Sequence, residues 1–142
     1  MSRNALATLG AALLVLLALP AIGAAKNPHS ALNGVYRVQY TENELVALGT
    51  SAKYAKQNYG VDTLWLANGR YRVRQSRYPA ACVGSYTVNG NRVTFDLNVP
   101  HCNGIVVAAW ALSSGSLRFR VIRATDPGDV QLWGSKPWKK IG

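Results

Sequence analysis

The sequence predicts a mainly β fold: an eight-stranded antiparallel up-and-down barrel with a short helical insert between the first and second strands. Three observations carry that expectation. From residue 61 onward, apolar and polar residues alternate with period two, as half-buried strands require. Two Asn-Gly pairs, at 68–69 and 89–90, sit between alternating runs, and this pair accepts the positive φ angles of a type I′ hairpin turn. Hairpins in succession lay neighbouring strands side by side, and eight such strands can close on themselves. An open sandwich is the structural alternative.

Residues 1–25 read as a secretory signal. Arg3 gives a short basic start, ALATLGAALLVLLAL at 5–19 is an uncharged apolar run, and Pro20 breaks it. Gly23-Ala24-Ala25 supplies small residues for cleavage after Ala25. The run is short for a membrane span, so no transmembrane segment is expected once it is removed. Residues 26–142 then form one barrel domain, expected in the cell envelope, the periplasm or outside the cell. Loss of Arg3 leaves 15 basic and 6 acidic side chains, a formal charge of +9. Such a surface favours anionic partners.

After a polar lead at 26–33, VYRVQYT at 35–41 alternates cleanly, with Tyr36, Val38 and Tyr40 on one face. Thr41 followed by Glu44 has capping-box spacing, so 41–49 reads as a short helix ended by Gly49. Residues 51–58 read as a second short helix.

The first Asn-Gly turn pairs Leu66 with Tyr71 and Leu64 with Val73 inside. Outside, Trp65 faces Arg72, Thr63 faces Arg74 and Ala67 faces Arg70. A one-residue slip would ruin this segregation. With Asn89-Gly90 as the second turn, Tyr86 faces Val93 and Gly84 faces Phe95. A four-residue loop at 113–116 pairs Trp110 with Phe119, Leu112 with Leu117 and Ala108 with Val121. TDPGD at 125–129 reads as a turn, VQLWG at 130–134 as the last strand, and 135–142 as a basic tail.

Cys82 and Cys102 suit one disulfide in an oxidising compartment. The rival, a metal site with His101, has three ligands and no CxxC spacing, a poor zinc signature. No metal and no cofactor is expected.

The catalytic inventory is thin. Glu42 and Glu44 serve a helix start, Asp126 and Asp129 a turn, and Asp62 and Asp96 stand isolated on polar strand faces. His29 lies in the lead and His101 in a loop. No phosphate-binding loop, dinucleotide fingerprint or nucleophile elbow occurs, so no catalytic residue is named.

The aromatics are more informative. Tyr36, Tyr40, Leu64, Tyr71, Tyr86, Phe95, Trp110 and Phe119 share the proposed interior. They either fill the core or line a cavity in which tyrosine hydroxyls orient a ligand. Arg70, Arg72 and Arg74 project together outside, about 7 Å apart, with Trp65 beside Arg72 for a cation–π contact. That face is a solvated wall that discourages edge-to-edge aggregation, or a surface for an anionic partner. Export argues against nucleic acid.

Several stretches carry a resemblance. LNGVYRV resembles the opening of lipocalin-like (calycin) barrels, where a glycine and an aromatic near the start of the first strand close the floor; here these are Gly34 and Tyr36, tyrosine replacing the usual tryptophan. GSYTVNGNRVTF, ELVALG, NYGVDTLWLANGRY and KPWKKI are similar to parts of small secreted bacterial domains of that type. The resemblance implies an up-and-down barrel and a small-molecule cavity. Three roles follow as expectations: a non-catalytic binding protein for an apolar or amphipathic ligand; an interaction protein with a packed barrel whose arginine face holds an anionic polymer or protein; and a barrel cyclase or isomerase using buried tyrosines.

Overall fold

The computed structural model of the protein describes residues 27–142. The expected signal at 1–25 lies outside the described residues. Eight antiparallel strands form a closed barrel in sequence order, consistent with a calycin-like fold. They are β1 (Gly34–Tyr40), β2 (Gly60–Ala67), β3 (Arg70–Gln75), β4 (Cys82–Asn89), β5 (Arg92–Asp96), β6 (Ile105–Ser113), β7 (Ser116–Ala124) and β8 (Trp138–Lys140).

The helical insert is two helices, α1 (Glu42–Ala47) and α2 (Ala52–Asn58). Thr41 caps α1 by a reciprocal capping box with Glu44. At its other end the Gly49 N–H donates to the Val46 carbonyl and the Thr50 N–H to the Leu45 carbonyl, a Schellman pair that satisfies the last carbonyls.

The β2–β3 register is the one the alternation requires: Leu66 opposite Tyr71, Leu64 opposite Val73, Trp65 opposite Arg72. Asn68 and Gly69 both have positive φ, 48° and 86°, as a type I′ turn demands. The β4–β5 hairpin differs from expectation by two residues. Tyr86 pairs with Phe95 and Val88 with Val93, so Gly90 and Asn91 form the turn. Gly90 takes φ 58° at the first central position while Asn91 keeps φ negative, which matches a type II′ requirement. A slip of two leaves every side chain on its expected face. Gly84 still receives a ring, but it is that of Tyr71, its partner on β3. A β-carbon there would lie 2.8 Å from the Tyr71 ring.

The β6–β7 pairing places Trp110 opposite Phe119 and Leu112 opposite Leu117, as expected. Its loop is tighter than expected, because Ser113 and Ser116 also pair. A bulge at Val107/Ala108 leaves Ile122 as the extra residue.

The end of the chain differs from the sequence-based expectation. Residues 130–134 are not a strand. They belong to helix α3 (Pro127–Gly134), N-capped by Asp126, whose Oδ1 accepts from the Gly128 N–H at 2.8 Å. Asp-Pro is a cap followed by a residue preset for the first helical position. The eighth strand is instead Trp138–Lys140, in the segment expected to be a tail. It pairs with β7 and with β1 and so closes the ring.

The polar lead forms a 3₁₀ turn, Pro28–Leu32, that packs across one barrel end. Asn33 and Asn68 tie it to the β2–β3 turn with two reciprocal hydrogen bonds of 2.9 Å. Helices α1 to α3 gather at the opposite end. Cys82 and Cys102 form a disulfide, Cα to Cα 5.9 Å, linking β4 to the loop before β6. Closing a loop of this size stabilises by roughly 3 kcal/mol in the chain-entropy account.

Candidate functional site

The residues proposed to line a cavity are almost all at the centre of the core. Tyr36, Tyr40, Leu64, Tyr71, Tyr86, Phe95 and Phe119 are each no more than 3% exposed. Trp110 is the exception: it is half-buried at the core margin, and its Nε1 has no hydrogen-bond partner. Rings meet across the interior. Phe95 lies 5.6 Å from Tyr71, 5.7 Å from Tyr86 and 5.7 Å from Phe119, centroid to centroid. Trp133 of α3 completes the cluster, 4.8 Å from Phe95 and 5.5 Å from Trp138. Trp133 and Trp138 are interior residues beyond those the alternation sets inside, because one lies on helix α3 and the other on the short strand β8.

The tyrosine hydroxyls are engaged by the protein itself. Tyr36 donates to the Leu32 carbonyl (3.1 Å), Tyr71 to that of Asp96 (2.7 Å) and Tyr86 to that of His29 (3.3 Å). Tyr40 donates to the Gln131 carbonyl and accepts from the Lys136 N–H. Burial raises the pKa of all four, to about 12 for Tyr40 and Tyr71. These phenols stay protonated across the physiological range. Clefts of about 350 and 540 Å³ lie at the surface, one lined by Lys53, Lys56, Gln57, Arg77 and Tyr78, the other by residues 39–43 with Tyr59 and Gly60.

The outer wall over β1, β2 and β3 is cationic. Arg70, Arg72 and Arg74 project from one face of β3, and all three are exposed. The register extends the array sideways: Arg74 faces Thr63, Thr63 faces Arg37 on β1, and Arg37 faces Lys139 on β8. Below that row, Trp65 stands between Val35 and Arg72, and the Arg72 guanidinium lies 5.1 Å from the indole centroid. Arg77, beyond the alternating run, stacks 4.0 Å over Tyr59 and donates to the Lys56 carbonyl, so it caps α2 rather than joining the wall.

Among the described residues no carboxylate pairs with this surface; the ion pair found is Lys136 with Glu44, at 2.6 Å on the helical end. Glu42 and Glu44 belong to α1, Asp126 and Asp129 to α3, and Asp62 is buried. Asp96 projects outward from a strand, and it does so on β5.

Asp62 corrects another expectation. It is not on a polar face but inside the barrel, 3% exposed, in the same inward series as Leu64 and Leu66. That parity is legible in the strand; the charge of the residue obscures it. Across the ladder stands Gln75. Asp62 Oδ2 and Gln75 Oε1 are both buried acceptors without a partner. Burial pushes the Asp62 carboxyl up to about 7, the Gln75 side chain opposes this, and the Asp129 charge adds to it. A proton on Asp62 removes a buried charge and turns one unpaired acceptor into a donor, which is the form a buried site favours. Tyr54 of α2 donates to Asp129 Oδ1 at 2.9 Å, and burial pushes Asp129 up to about 6. Among the described residues no group of three His, Cys, Asp or Glu side chains gathers as a metal site.

No protein-family profile, curated protein or solved structure matches the chain. No helix among the described residues is long and apolar enough to cross a membrane.

Proposed function

We propose that this chain is a lipocalin-like barrel, exported to the cell envelope or beyond it, that holds a linear anionic polymer on the wall formed by Trp65, Arg70, Arg72 and Arg74, with Arg37 and Lys139 alongside. One observation carries the reading: cations are arrayed on an outward strand face, and among the described residues no carboxylate pairs with them. Successive arginines recur about every 7 Å along the strand. A repeating array suits a repeating ligand better than a single small anion. Trp65 gives the wall a flat apolar face for the uncharged part of such a chain, and the Arg72 contact holds the indole. A small apolar ligand in the interior would have to displace rings that now contact one another. Enzymatic use of the buried tyrosines would require phenols that titrate far lower than these. The disulfide and the leader-like first 25 residues support export.

Two double variants of equal charge test the reading on a sulfated polysaccharide matrix. R72Q/R74Q is expected to bind at least about tenfold more weakly, since each charge-assisted contact contributes roughly 1.5–3 kcal/mol. K53Q/K56Q, altered on α2, is expected to elute near the parent protein. Equal losses from both would mean that net charge alone governs retention, and the wall would have no special role.

A further inference from the structure

The barrel carries a second arginine wall that the alternation alone does not set apart. Arg118, Arg120 and Arg123 on β7 are all exposed. Arg120 faces Ala109 on β6, and Ala109 faces Arg92 on β5. Arg118 faces Ala111, and Arg123 faces Val107 beyond the bulge. The middle strand thus shows small apolar side chains while arginines rise beside it. Arg92 and Arg120 stand two strand spacings apart, roughly 10 Å. Asp96 is the carboxylate on this side, and no ion pair joins it to any of these arginines among the described residues.

The position of this wall follows from topology. In a closed ring of eight strands in sequence order, β3 and β7 are four strands apart in either direction. They therefore lie on opposite sides of the barrel. Lys139 on β8 borders β7, opposite Ser116, so the independent parts of the two walls are the arginine rows of β3 and β7 themselves; charges separated by more than a Debye length, about 8–10 Å, act nearly independently. An anionic chain lying on one wall leaves the other uncompensated.

We infer that the protein is bivalent: the β7 wall, with Arg92, holds a second anionic chain, and one molecule bridges two polymers. This rests on the polymer-binding reading above and adds to it a cross-linking function. Bridging needs no dimer and no new pocket. Its signature is an optimum in stoichiometry, because excess protein covers every chain separately and excess polymer leaves each molecule with one chain.

The experiment is static light scattering of the protein mixed with dextran sulfate across a range of ratios, with co-sedimentation to measure binding. The parent protein is expected to scatter well above either component at intermediate ratios and less at both extremes. R118Q/R120Q/R123Q is expected to stay bound within a fewfold of the parent and to lose that maximum. R70Q/R72Q/R74Q is expected to lose the maximum as well, its remaining binding, through β7, being at least about tenfold weaker than the parent's. If R118Q/R120Q/R123Q binds and scatters like the parent, bivalency is wrong while polymer binding stands. Bivalency of the single chain is equally overturned if the protein is already dimeric without polymer. If the parent does not bind, both readings fall together.

Discussion

Asp62→Asn is expected to stabilise the protein at pH 8 and to leave its stability at pH 4 nearly unchanged. The reason is the position of the carboxyl, 3% exposed and opposite the unpartnered Gln75 Oε1. Its folded pKa of about 7 stands above its ordinary value of 3.8. Between those values the folded state holds the proton more tightly than the unfolded chain does. Stability therefore falls as pH rises from about 4 to about 7, then levels off. The difference is worth on the order of 4 kcal/mol at most. Asp129, pushed up to about 6, contributes in the same sense over a narrower window. Glu44, held low first by its hydrogen bond to Lys136, contributes in the opposite sense, and its share is lost as pH falls through its folded pKa. Asparagine reproduces the protonated acid, with a donor in place of an acceptor and no charge to bury. Urea unfolding of both proteins at several pH values between 4 and 8 decides the matter. A variant whose stability declines in parallel with the parent would show that Asp62 does not hold the proton.

Phe95→Ala is expected to cost about 3–5 kcal/mol, a large share of the roughly 5–15 kcal/mol available to a domain. Phe95 is fully buried and contacts Tyr71, Tyr86, Phe119 and Trp133. Those neighbours come from four different elements, β3, β4, β7 and α3, so removing the ring leaves a void that no single movement closes. Phe95→Leu keeps most of the volume and is expected to cost less than half as much. Denaturant midpoints measure both. A loss below about 1 kcal/mol for the alanine variant would mean that the interior has slack, and would favour a ligand cavity.

Where the sequence is legible, a local rule and a global one agree. The β2–β3 register follows from Asn68-Gly69 and from the apolar set on Leu64, Leu66, Tyr71 and Val73 together. Thr41 and Glu44 announce α1 by a hydrogen-bond exchange confined to four residues. The second hairpin is ambiguous by two residues because Asn89-Gly90-Asn91 offers two turn frames, and face alternation cannot tell them apart. Residues 130–134 are too few to separate period two from period 3.6, and Asp126-Pro127 suits a turn as well as a cap. β8 has three residues, too short to leave a pattern of its own, and it exists because Trp138 and its neighbours complete the ring. At the candidate site, the outward arginines of β3 are legible from alternation alone. Arg37 and Lys139 join them only through pairing across β8, β1 and β2. The β7 wall becomes a site only once closure sets it opposite β3.

The most direct test of polymer binding on the barrel walls is amide chemical-shift mapping of the isotopically labelled protein titrated with dextran sulfate. Saturable shifts are predicted along the outer rows at Val35, Arg37, Trp65 and residues 70–74, and on β7, while Phe95, Tyr86 and Trp133 stay in place. Shifts centred on those interior rings, or shifts spread evenly over every exposed lysine and arginine, would contradict it.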